Sequence, residues 1–105
     1  MNRGDVYWYT FRHPDKRRPV VILTRSDAIP HLNSVVVAAV TSMIRQVPTE
    51  VVVGPEDGMP TIGAVNLHHI HSVVKTNLEK YISHLNPRRL EEIRHAITIS
   101  LGFEE

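Results

Sequence analysis

A chain of 105 residues has room for one compact domain around one core, which excludes two ordinary domains and leads us to expect a single domain over residues 1–105. Apolar residues make up 42% and charged residues 22%, no apolar run is long enough to cross a membrane as a helix and no signal-like N-terminus appears, so a soluble cytoplasmic protein is expected. The lack of cysteine excludes disulfides, thiolate zinc sites and cysteine nucleophiles; the formal charge of +1 hides six Lys/Arg against Asp5 and Asp15 in residues 1–25, a basic end suited to an anionic partner, and one Arg against four acids in residues 26–74.

The chain opens with "DVYWYTF", residues 5–11, whose aromatic and β-branched residues predict a first strand with Val6, Trp8 and Thr10 on one face and Tyr7, Tyr9 and Phe11 on the other. "RHPDKRR" follows as a polar loop broken at Pro14. "PVVILT" reads as a strand buried on both faces, with Pro19 tolerated because it opens the strand. "SVVVAAVTS", the most apolar segment, predicts a central strand, and "TEVVVG" a fourth after Pro48. "PEDGMP" carries turn chemistry on both sides of Gly58. "TIGAVNL" and "IHSVV" predict two shorter strands separated by a polar "HH", and "YISHL" a last one.

The period changes at Asn86. Asn86 is suited to cap a helix, Pro87 to occupy its first position, and Leu90, Ile93, Ile97 and Leu101 recur at helical spacing up to Gly102. The expected architecture is mainly β: a small antiparallel β-barrel over about residues 3–85, with a C-terminal α-helix over about 87–102 packed on it.

Three places offer chemistry. Pro19 disfavours helical backbone at Arg18, so that guanidinium leaves a stiff, extended chain at the start of a buried strand; the residue type allows either phosphate binding or simple solvation of the strand end. Thr41 and Ser42 end the central strand just before Arg45, where hydroxyls either hold a phosphoryl oxygen or start a turn. In "HHIH", His69 and His71 would share a face if the segment is a strand. Surface or dimer-interface histidines, substrate contact and a metal are the readings open there; with no cysteine and no HExxH helix, no metal site is assigned. The aromatic residues of the first strand suit either core packing or base stacking.

Taken in order, "RGDVYWYTF", "RRPVVILT", "VVVAAVTS" with "VPTEVVV", "AVNLHHIHSVVK" and the C-terminal helix resemble the MazF/PemK-type toxins, the endoribonuclease halves of bacterial toxin–antitoxin modules, over about residues 3–102. The resemblance implies an SH3-like (PemK/CcdB-like) barrel, a homodimer, and sequence-selective cleavage of single-stranded mRNA with no metal or other cofactor required. It also implies a cognate antitoxin whose acidic disordered tail covers the groove. By that likeness Arg18 falls on the family's catalytic arginine and Thr41 on its catalytic hydroxyl residue. Arg12, His13, Lys16, Arg17, Ser42, Arg45 and His69 are then the expected RNA contacts. Where many relatives carry an acidic residue or glutamine ahead of "I-R", this chain has His68 and His69, and His71 stands in place of that arginine. Two other readings use a similar barrel: a gyrase-binding toxin of the CcdB type, disfavoured because the chain ends without a Trp-Gly-Ile tail, and a nucleic-acid-binding barrel that cuts nothing.

Overall fold

The computed structural model describes residues 1–12 and 16–103. Six strands form one curled antiparallel sheet in the order β4-β5-β3-β2-β1-β6: β1 Asp5–Thr10, β2 Arg17–Ile22, β3 Ser34–Thr41, β4 Glu50–Val53, β5 Gly63–Val74 and β6 Tyr81–His84. The helix α1 spans Pro87–Leu101. The expected small antiparallel barrel with a terminal helix is thus what forms.

Both faces of the sheet are covered, which is why β2 is apolar without alternation. Val6, Val21, Ala38, Val40, Val51, Val65 and Leu67 pack on the side that meets Ile93 and Ala96 of α1. On the other side Val20, Ile22, Val35, Val37 and Val73 pack with Ile29, and Tyr7, Tyr9 and Phe11 flank them. Val20, Val21 and Ile22 are fully buried, each contributing roughly 1.5–3 kcal/mol relative to exposure. The two faces predicted for β1 are the two found.

Three expectations need correction. Pro19 does not open β2, which begins at Arg17; Pro19 pairs with Trp8 of β1, while the ladder from β2 to β3 runs only over Val20–Ile22. Having no N–H, Pro19 sits where no bond to β3 is made. "TIGAVNL" and "IHSVV" are one strand of 12 residues, not two. Its partner β3 pairs Ala38 with Ile70 and then Val40 with Val65, so residues 66–69 lie opposite Ala39 alone, and this bulge absorbs the polar "HH" without ending the strand. Leu101, expected on the buried stripe of α1, is exposed.

The helix begins as predicted: Asn86 Oδ1 accepts a hydrogen bond from the Arg89 N–H at 2.9 Å, and Pro87 occupies the first turn. Gly102 ends it with φ 77°, a left-handed conformation glycine adopts without Cβ strain.

The edge strands β4 and β6 are bridged by side chains. The turn Pro55–Asp57 places Asp57 against α1, where Arg89 Nε and Nη2 donate to its carboxylate at 2.9 and 3.2 Å. Ser83 of β6 donates from Oγ to the Asp57 carbonyl at 2.6 Å. Gly58 follows with φ 81°, and a Cβ there would meet Ser83 Oγ.

Candidate active site

Where the β2–β3 ladder stops, the sheet opens into a cavity of about 410 Å³ lined by Lys16 to Pro19 on one side, Val40 to Met43 on another and Met59 to Gly63 on a third. Arg18 and Thr41, expected from sequence to act together, both line it. Strand alternation explains their placement. Arg18 pairs with Tyr9, and Val20 with Ala39, so Arg18 and Thr41 belong to the same face of the sheet, opposite α1. Thr41 Oγ1 accepts the Met43 N–H at 3.1 Å, which leaves its hydroxyl proton available to a substrate oxygen. Arg18, half-buried, is held by the rigid strand that follows it.

Gly63 is what lets the third wall approach. A Cβ there would lie 2.8 Å from the Thr41 carbonyl oxygen and 3.1 Å from Val40. Two lining residues, Met43 and Ile62, are among the most exposed large hydrophobic residues. Neither they nor Met59, Pro60 and Thr61 were expected from sequence, where "GMPTIG" carries only turn signals.

The other predicted contacts divide. Lys16 and Ser42 are exposed and line the cavity. Arg17 also lines it, but its guanidinium is engaged: Nε donates to Glu79 Oε1 at 2.7 Å and the group lies 4.5 Å over the Trp8 ring. Thr10 Oγ1 donates to the other Glu79 oxygen at 2.7 Å. Together these bonds, Arg17 first, hold the Glu79 carboxyl below the usual range. Arg45 stands outside the cavity lining, with its backbone N–H donating to Glu50 at 2.9 Å and its guanidinium 3.7 Å from the same carboxylate. Arg12 is exposed, and His13 lies outside the described residues.

The three histidines separate at the bulge. His68 turns to α1, its Nδ1 3.0 Å from Ser100 Oγ, while that hydroxyl donates to the Leu67 carbonyl at 2.7 Å. A serine committed in this way is a strap between β5 and α1. His69 and His71 share the other face, with ring centroids 5.8 Å apart. Among the described residues no cluster of three or more His, Asp or Glu offers a metal its ligands, and no helix is long and apolar enough to cross a membrane.

A family model for the PemK-like, MazF-like toxins of type II toxin–antitoxin systems matches residues 2–101. The chain belongs to that family. Among MazF relatives, it is 37% identical over 100 residues to the probable endoribonuclease MazF5 of Mycobacterium tuberculosis, covering 94% of this chain and 91% of the relative. It is 32% identical to the probable endoribonuclease MazF2 of the same organism, over 97% of this chain and 99% of the relative. The fold matches a mycobacterial endoribonuclease solved in complex with its cognate antitoxin, with a TM-score of 0.89 at 28% identity over 100% of this chain and 98% of that one. It also matches the Mycobacterium tuberculosis toxin MazF-mt6, with a TM-score of 0.87 at 28% identity, over 96% and 99% of the two chains. As a MazF-like toxin the chain has its predicted arginine and hydroxyl on neighbouring strands at one opening of the sheet.

Proposed function

We propose that this MazF-like toxin is an endoribonuclease that cleaves single-stranded RNA at the cavity between β2 and β3, with Arg18 and Thr41 as its catalytic residues. The observation that carries the reading is that these two side chains, 23 positions apart in the chain, line one cavity on one face of the sheet. The curated relatives' names supply the reaction class.

The residue types suit a reaction in which RNA provides its own nucleophile. The ribose 2′-oxygen attacks the adjacent phosphorus, the bond from phosphorus to the 5′-oxygen breaks, the 2′ proton passes to solvent water, and the 5′-oxygen takes a proton from Arg18, which regains it from solvent. The products are a 2′,3′-cyclic phosphate and a 5′-hydroxyl. The protein must orient the phosphate and stabilise charge on five-coordinate phosphorus. Arg18 is too basic to serve as an efficient general base; it enters the reaction as a cation that stabilises that charge and gives a proton to the leaving oxygen as the bond breaks. Thr41 donates its hydroxyl proton to a phosphoryl or 2′ oxygen. No metal is needed for these roles. Lys16 and Ser42 bind flanking phosphate.

Acting on RNA in the cytoplasm, the toxin works as a homodimer and is held in check by an antitoxin with an acidic disordered segment that competes for the same cations. The reading is tested by incubating purified protein with a long single-stranded RNA in EDTA and mapping both ends of every cut. Cyclic phosphate and 5′-hydroxyl ends are expected, with rates falling about 10²–10³-fold in Arg18→Ala and in Thr41→Ala. Full activity in both variants would remove the site assignment, and no cleavage by the parent protein would remove the function.

A further inference from the structure

Beside the cavity, on the same face of the sheet, four aromatic rings run in a row. Tyr9 and Phe11 meet edge to face with centroids 4.8 Å apart, Phe11 and His71 are tilted at 4.9 Å, and His71 meets His69 at 5.8 Å. Tyr9 pairs across the ladder with Arg18, and His71 pairs with Val37, whose side chain shares the Tyr9 face. The row therefore starts next to the proposed catalytic arginine and leads away over β5. Its floor is the apolar cluster of Val20, Val35 and Val37, which holds Tyr9 and Phe11 in place. Its outer end is open: Tyr9, Phe11 and His71 are half-buried and His69 is exposed.

We propose that Tyr9, Phe11, His71 and His69 form a stacking platform for the unpaired bases that flank the scissile phosphate. This inference rests on the ribonuclease reading and names the part of RNA that reading leaves unplaced. A phosphate site alone grips every nucleotide alike, and rings beside it add affinity for unstacked bases. Spacings near 5 Å bring the rings into contact with one another, and a floor of branched aliphatic residues keeps them from collapsing when no base is present. The bulge opposite Ala39 gives β5 the local bend that carries His69 at the rim of this surface.

The test is equilibrium binding of a 2′-O-methyl single-stranded oligonucleotide, which cannot supply the attacking hydroxyl, to the parent protein and to Phe11→Leu and His69→Ala. Phe11→Leu preserves an apolar side chain over the cluster, and His69→Ala changes an exposed position, so one of the two remains informative if the other fails to fold. Each is expected to bind about 5- to 100-fold more weakly. The same strand with abasic sites at the flanking positions is expected to bind all three proteins alike. The salt dependence should keep its slope in Phe11→Leu and flatten in Lys16→Ala, because only the lysine change removes a phosphate contact. Undiminished binding by both aromatic variants in a protein that still cuts RNA overturns the platform and leaves the ribonuclease standing. Loss of self-association in His69→Ala with unchanged binding also overturns it, assigning the row to a subunit interface. A parent protein that neither binds nor cuts RNA defeats the ribonuclease reading itself.

Discussion

Gly63 shows how much of the proposed active-site cavity can depend on one missing carbon. The strand holding Thr41 and the strand beginning at Gly63 approach until a Cβ would stand 2.8 Å from a backbone oxygen, which no rotamer change relieves. Gly63→Ala should therefore separate β3 from β5 beside Thr41, at a cost of about 1–3 kcal/mol, and slow RNA cleavage. Gly54→Ala is the matched control, since its added Cβ meets only the movable Glu56 carboxylate at 2.8 Å. Urea unfolding and initial cleavage rates measured on the pair would show it; equal behaviour of the two variants refutes the spacing argument. At this scale the chain was readable where chemistry and local backbone coincide. Arg18 before Pro19 and Thr41 at a strand end advertise themselves, whereas Gly63, Met59 and Ile62 become a wall only after residues far apart in sequence meet. Glu79 is the same kind of case: it engages Arg17 across 62 positions, and nothing near either residue announces the pair.

At the scale of elements, β5 and α1 illustrate opposite degrees of legibility. The start of α1 is a local structure, with its cap, its proline and its first turn contiguous, and the chain folds there as read. Asn86→Ala should cost about 1 kcal/mol through loss of the bond to the Arg89 N–H, seen as a lower urea midpoint with unchanged slope; an unaltered midpoint would mean another group satisfies that amide. The strand β5 is a non-local structure. Its polar middle breaks the apolar pattern, so local reading divides it, while pairing with β4 on one half and β3 along its length holds it continuous. The histidines at 68 and 69 consequently sit inside one strand, facing opposite sides, instead of between two.

For the molecule as a whole, the decisive bond is between Asp57 and Arg89. Burial by itself would push the Asp57 carboxyl up, but hydrogen bonds from Arg89 and from the Gly54 N–H outweigh it and hold the group below the usual carboxylate range. A carboxyl depressed in the folded state contributes stability that is present above its ordinary value of about 3.9 and is lost as the pH falls through the lower folded value. Arg89→Met leaves a nearly buried carboxylate, 3% exposed, without its cation, and should cost on the order of 3–5 kcal/mol at pH 7. The gap between parent and variant should narrow on acidification below about pH 4, because protonation removes the charge that needed a partner. Unfolding free energies at pH 7 and pH 3.5 decide this, and a gap independent of pH would exclude the mechanism.

A barrel sealed by a backbone ladder has no ionisable group along its seam. Here the turn after β4 is held like a buckle at two points, to β6 by the Ser83 hydroxyl on the Asp57 carbonyl and to α1 by the Asp57 carboxylate, and it leads on to Met59 and Pro60. Acid opens only the α1 side of that buckle, weakening the turn that leads to the third wall, while the Ser83 bond to β6 persists and Arg18 and Thr41 stay on strands zipped to their neighbours.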